Sequence, residues 1–193
     1  GGLAAAPNAL LTITLEVDGV WQRQLAAPVL EALTGAGSVI SGSNGGLTTN
    51  NAATALWARR LRWSSSTGIT LRYFWTYAAG SNQVNLGRLG GNMRCYWGHS
   101  ASRFYILDNG ALSAETAVMA LTAGRTYEVV ARWSSGTISV FVDGVRLAHA
   151  IGAVTWAANP DTYRLIETDA ASGVQQFASV QAWPSALSDA EIT

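Results

Sequence analysis

From Ile69 to Tyr77 the chain alternates strictly. Ile69, Leu71, Tyr73, Trp75 and Tyr77 fall on one side, and Thr70, Arg72, Phe74 and Thr76 on the other. A side-chain period of two predicts a strand half buried against a core, because a helix of period 3.6 would scatter the same residues around its circumference. The pattern recurs at Leu11, Ile13, Leu15 and Val17, and again at Tyr127, Val129, Ala131 and Trp133. Between the strand-like runs 138–142 and 145–147 stand only Asp143 and Gly144, a pair able to take the positive φ of a two-residue hairpin turn. Asp108-Asn109-Gly110 predicts a looser turn after the strand-like run Arg103 to Leu107. Helical signals are few: the segment from Pro28 to Leu33, and Ser188-Asp-Ala-Glu191, which has the form of a capping box and predicts a short terminal helical turn.

Many strands, regular turns and almost no helix predict an all-β, two-sheet antiparallel jelly-roll sandwich with a short C-terminal helical turn, a barrel being the competing closure. The Gly/Ser-rich stretch 41–46 runs on into strand-like sequence, so 1–193 reads as a single domain, within the usual length for a large β-sandwich.

Charge limits the partners. Twelve basic and twelve acidic residues give a net charge of zero, which leaves no long-range field to gather nucleic acid or an anionic membrane. No run of about 18 apolar residues predicts membrane insertion. Only 12% of residues are charged, about half the usual share. Such a surface fits one covered by neighbouring copies in a multi-copy assembly, and equally a monomer hydrated by Ser, Thr and Asn. All twelve basic residues are arginine, from which no function is drawn. The single cysteine, Cys95, has no internal disulfide partner and reads as a buried, inert thiol. A start at Gly1-Gly2-Leu3 without an initiator Met fits a processed chain or part of a longer one.

The segment Leu121 to Trp133, followed by Ser134 to Leu147 with its Val140-Phe-Val-Asp-Gly144 hairpin, resembles a strand-and-hairpin signature of the concanavalin-A-like, laminin-G-like sandwiches. The ending Phe177 to Ile192, with Ala186-Leu-Ser-Asp-Ala-Glu-Ile192, resembles the closing strand and tail of that family. The resemblance covers roughly residues 121 to 193. Earlier segments agree in strand pattern alone, with Ile69 to Tyr77 looking like the first inner-sheet strand. It implies that the closing strand lies beside the opening one and that Leu187 and Ile192 pack over the open end of the core. Where family members often carry an acidic pair in the closing strand, this chain has Ala178 and Ser179, so no role of those acids is inherited.

Related sandwiches serve as lectins, adhesion modules, glycosidase domains and virion attachment parts, and fold alone does not choose among them. Sandwich glucanases place their carboxyls on one strand face. Glu16 and Asp18 supply two, but Val20 and Trp21 stand where the third is needed, so no β-glucan hydrolysis and no enzymatic role are expected. His99 and His149 form no catalytic or metal-ligand spacing. Asp161, Glu167 and Asp169 lie close in sequence and are the candidate oxygen ligands for calcium; no other cofactor is implied.

Eight tryptophans are available to stack on sugar rings. Trp75, Trp133 and Trp183 sit in strand patterns and belong to the core. Trp97 and Trp156 sit in turn-like sequence, and with Arg94 and Asn159 beside them form the candidate glycan platform. The cluster Arg59, Arg60, Arg62 and Trp63 reads either as a contact for anionic glycan or as a solvated strand edge. The expectation is a recognition or attachment module of a virion, cell-surface or secreted assembly, its partners a surface glycan or neighbouring subunits. The alternatives are a purely structural subunit and a polysaccharide-degrading domain.

Overall fold

The computed structural model describes residues 11–15, 21–25, 30–32, 47–48, 54–59, 64–89, 93–108, 111–151, 162–168 and 171–193. Its strands are β1 (Leu11–Leu15), β2 (Trp21–Leu25), β3 (Leu30–Ala32), β4 (Leu47–Thr48), β5 (Thr54–Arg59), β6 (Ile69–Thr76), β7 (Val84–Leu89) and β8 (Met93–Gly98). Then come β9 (Arg103–Asp108), β10 (Ala111–Glu115), β11 (Thr126–Trp133), β12 (Thr137–Val142), β13 (Val145–Ile151), β14 (Thr162–Thr168) and β15 (Gln176–Trp183), and a single helical turn, α1 (Asp189–Ile192). The first sheet runs β13-β12-β11-β6-β15-β1-β2, with β4 added beside β15; the second runs β10-β9-β8-β7-β14-β5-β3. Every described pairing is antiparallel. This is the expected two-sheet sandwich. The Pro28–Leu33 segment departs from its helical expectation, since Leu30–Ala32 pairs with β5 as an edge strand. A segment of six residues is too short to hold a helix by itself, and the sheet offers the hydrogen bonds instead.

The alternation read from the sequence sorts the faces of the first sheet. Ile69, Leu71, Tyr73 and Trp75 are wholly buried toward the second sheet, and Tyr127, Val129, Ala131 and Trp133 join them across the β6–β11 register. The closing strand β15 does lie between β6 and the opening strand β1. At the β12–β13 turn Asp143 (φ 50°) and Gly144 (φ 76°) both take positive φ. The Asp143 carboxylate accepts the Glu128 N–H at 3.0 Å. The Asp108–Gly110 turn lies partly outside the described residues, but β9 and β10 pair as the hairpin it predicted.

The tail does something other than expected. Leu187 and Ile192 do not stopper the open end of the core. They cover the outer face of the first sheet, where Val130, Phe141 and Trp183 make a second apolar cluster with them. Two arginines on that face hold the tail down. Arg132 donates to the Leu187 carbonyl at 2.8 Å, the Asp189 carboxylate at 2.7 Å and the Ser139 hydroxyl at 3.2 Å. Arg72 donates to the Glu191 and Ile192 carbonyls at 3.1 Å each and pairs with Glu128 at 2.9 Å. Arg72 thus satisfies two carbonyls that the helical turn leaves without partners, and Arg132 holds the carbonyl just ahead of its capping residue. At the start of the turn the Glu191 carboxylate accepts from the Ser188 N–H and hydroxyl, both at 2.8 Å.

Candidate functional site

On the second sheet, β8 buries Met93, Cys95 and Trp97 toward the core and turns Arg94, Tyr96 and Gly98 outward. Strand β9 buries Phe104 and Ile106 and turns Arg103 and Tyr105 outward. The register sets Glu167, Asn85, Tyr96 and Tyr105 side by side across β14, β7, β8 and β9. Tyr96 and Tyr105 stack, their rings 4.9 Å apart and 18° from parallel, and the Arg94 guanidinium carbon lies 4.8 Å from the centre of the Tyr96 ring. Two residues further along β8, Gly98 leaves a gap. A Cβ there would meet Tyr105 Cε2 at 2.9 Å, so only glycine lets the tyrosine ring lie over the strand.

The loop Ser81–Gln83 forms the opposite wall, and a buried amide fixes it. Gln175 accepts from Trp75 Nε1 at 2.8 Å and from the Ala78 N–H at 3.0 Å, and donates to the Ala78 carbonyl at 2.8 Å and to that of Ser172. The Ala171 carbonyl takes the N–H groups of Ser81 and Asn82 at 2.8 and 3.2 Å, and the Ser172 hydroxyl donates to the Gln83 carbonyl at 2.8 Å. A fully used amide at this depth makes the wall rigid rather than adaptable. Enclosed between wall and sheet is a cleft of about 400 Å³, lined by the tyrosine pair, Gly98, His99, Ser100 and the 81–83 loop. His99 stacks on Tyr77 at 5.6 Å, and burial lowers its pKa from the ordinary 6.5, so the ring is neutral at pH 7. Among the described residues no carboxylate or guanidinium lines the cleft. An aromatic wall with hydroxyl and amide groups on the rim suits a polyhydroxylated ligand, with ring C–H groups on the tyrosine and hydroxyls toward the polar rim.

The expected platform is displaced by one position. Trp97 is 1% exposed and packs among Trp75, Tyr77 and Phe104, at 6.4, 5.9 and 4.9 Å. It is a core residue, because it shares the parity of Cys95 and Met93. Its neighbours Tyr96 and Arg94 face outward, and extending the alternation through β8 would have identified them. Trp156, Asn159, Asp161 and Asp169 lie outside the described residues, as do Glu16, Asp18 and the 60–63 cluster. Glu167 lies in β14, where its carboxylate pairs with Arg164 and, at 3.3 Å, with Arg88. Trp75, Trp133 and Trp183 are core residues, as expected. His149 hydrogen-bonds the Ser139 hydroxyl at 2.8 Å on the far face of the sandwich.

Two antiparallel sheets carrying a polar cleft on one outer face define a lectin-like β-sandwich. Residues 33–193 match the sequence profile of the concanavalin A-like lectin/glucanases superfamily, and the chain belongs to that family. No curated protein matches it in sequence. Among solved structures, Trypanosoma rangeli sialidase in complex with 2,3-difluoro-KDN superposes with a TM-score of 0.69 at 18% identity, over 98% of this chain and 32% of the sialidase. The same enzyme in complex with sialic acid gives 0.63 at 16% identity, over 98% and 33%. The binding domain of botulinum neurotoxin DC in complex with SialylT gives 0.60 at 6%, over 95% and 49%. The chain spans about a third of the sialidases' length, and at these identities the likeness is one of fold. It nevertheless corrects the expectation that the chain is not an enzyme. The same fold occurs within sialidase chains, so the acid missing at Val20 and Trp21 speaks only against the one glucanase arrangement it was compared with.

Proposed function

We propose that this chain recognises carbohydrate through the cleft at Tyr96, Gly98 and Tyr105, as a lectin-like part of a secreted, cell-surface or virion protein, or of a larger enzyme. The observation that carries the reading is the tyrosine pair laid over a glycine floor and faced by a rigid polar loop, with no charge among the described lining residues. Membership in a lectin/glucanase family supports it. The test is a glycan array probed with the whole chain, followed by calorimetry on the glycans it retains. Gly98→Ala, which pushes the Tyr105 ring aside, and Tyr105→Ala should each weaken binding at least about tenfold, the scale of one lost aromatic platform. Their melting temperatures should stay close to that of the parent. Retention of no glycan, or unchanged affinity in both variants, would refute the reading.

Assembly into several copies draws support from the exposed apolar side chains of β13, the last strand of the first sheet among the described residues. Val145 is 58% and Ile151 83% exposed. Sedimentation of the chain at micromolar concentration tests it: a monomer there rejects this second reading.

A further inference from the structure

Among the described residues β13 pairs on one side only, with β12, and its other side is an edge of the first sheet. Three of the five large apolar side chains that the described residues leave exposed, Val145, Leu147 and Ile151, belong to this one strand. Exposed edges are commonly guarded by proline, by free charge or by a bulge, because their outward N–H and C=O groups can pair with any strand that meets them. This edge carries no proline, and its one formal charge, Arg146, is tied to the Asp189 carboxylate at 2.9 Å. A bulge is present, but it sits near the start. Arg146 lies opposite Phe141 and Ala148 opposite Val140, so Leu147 is the extra residue and 147–151 runs on regularly. In that run Ala148 and Ala150 stand opposite the core residues Val140 and Ile138, which puts Leu147, His149 and Ile151 together on the outer face. His149 shares its hydrogen bond with the Ser139 hydroxyl on that same face.

The run Leu147-Ala-His-Ala-Ile151 has the same character read in either direction. Laid antiparallel against itself about His149, it sets Leu147 opposite Ile151, Ala148 opposite Ala150, and the two imidazoles opposite each other. Apolar side chains then meet apolar ones, and neither a carboxylate nor a guanidinium in the run faces its like. A closed two-fold contact requires a surface complementary to itself, and a palindromic edge strand is one. We propose that two copies of this chain join β13 to β13, antiparallel about a two-fold axis through His149, so that one sheet continues across both. The inference rests on the assembly reading and adds to it the place and geometry of the contact.

The experiment places a thiol or a charge on the axis of the whole chain. Directly opposed residues of an antiparallel pair have Cα atoms about 4.5–5.5 Å apart, within the span of a disulfide. His149→Cys should therefore form a covalent dimer under mild oxidation at least about tenfold faster than Ala123→Cys, which puts the thiol on an exposed loop ahead of β11. Cys95 is buried and takes no part. In sedimentation at micromolar concentration, His149→Glu and His149→Arg should each self-associate at least about tenfold more weakly than the parent, because each opposes like charges on the axis. Mixed in equal amounts, the two should recover the parent's dimer, since a carboxylate then faces a guanidinium. Neither a misfolded variant nor a contact elsewhere on the surface produces that recovery. A cysteine dimer formed no faster than the control's, charged variants that associate like the parent, or a mixture that stays dissociated would each overturn the inference, while a parent that still sediments as an oligomer leaves the assembly reading standing. A monomeric parent would overturn both.

Discussion

Replacing Arg132 with alanine should be among the most damaging changes available outside the main core. The side chain is 7% exposed, and its guanidinium holds the Leu187 carbonyl, the Asp189 carboxylate and the Ser139 hydroxyl together over the ring of Phe141, whose centre lies 5.2 Å from the guanidinium carbon. A hydrogen bond from a charged group to a buried carbonyl contributes about 1.5–3 kcal/mol. The Asp189 pair adds under about 1 kcal/mol because that carboxylate is half exposed. The contact with Phe141 adds about 0.5–1 kcal/mol. Ser139 retains His149 as a partner, so its loss is small. Together these give about 3 kcal/mol, and for a domain of this length a fall in melting temperature of roughly 6–12 °C. Guanidinium unfolding followed by tryptophan fluorescence measures it, with Trp183 beneath the tail as a local reporter. Arg125→Ala is the control: its pair with Asp143 at 2.7 Å is as short, but the side chains are 58% and 39% exposed, so with its contact to the Tyr127 ring at 4.6 Å, worth about 0.5 kcal/mol at an exposed site, roughly 1 kcal/mol should be lost. If Arg132→Ala costs less than 1 kcal/mol, or no more than the control, the tail is not clamped as described.

Three further outcomes follow from the same geometry. Gly144→Val should destabilise the chain by about 1 kcal/mol or more, because a β-branched residue resists the positive φ of the hairpin; an unchanged denaturant midpoint would remove that turn from the account. His99 has a folded pKa below its ordinary value through burial, so the unfolded chain takes up the proton first. The stability His99 contributes is therefore complete above about pH 6.5 and declines as the pH falls from there through the lowered value. His99→Gln should flatten that part of the profile, and parallel curves for parent and variant would contradict it. Cys95 is fully buried with its thiol pushed up to about 12, so an aromatic disulfide reagent should modify it only as fast as the protein unfolds; prompt labelling in native buffer would show the core to be open.

The strands were legible wherever the alternation ran long. Ile69 to Thr76 and Thr126 to Trp133 bury the side the sequence marked, because burying the other would place Arg72 and Arg132 in the main core. The cleft was harder to see. Tyr96 and Tyr105 meet only because the connection His99–Ser102, with Ser102 at φ 50°, brings Gly98 opposite Arg103. Nothing local in the sequence fixes the length of that connection. The run Gly98-His-Ser100 reads as a turn and drew Trp97 with it to the surface, whereas the turn begins two residues after that side chain points inward. The registered row of Arg164, Arg88 and Arg94 across β14, β7 and β8 was hidden for the same reason: the three lie far apart along the chain, and register shifts between Asn85 and Arg88 and between Arg164 and Ile166 set their pairing. The fate of Leu187 and Ile192 was half legible: their apolar character required a cover, but which surface they cover depended on the buried arginines of β6 and β11.

The docked tail also gives the molecule a direction. Thr193 rests beside the β12–β13 turn, its Cα 3.8 Å from where a Cβ on Gly144 would stand, on the side of the first sheet that faces away from the second. The cleft opens from the second sheet on its own outer side, across two layers that pack about 10 Å apart. An affinity tag, a fluorophore or a further polypeptide joined after Thr193 therefore leaves from the back of the sandwich and keeps the tyrosine face turned toward solution. A sensor chip that captures the protein by its C-terminus would present the cleft outward.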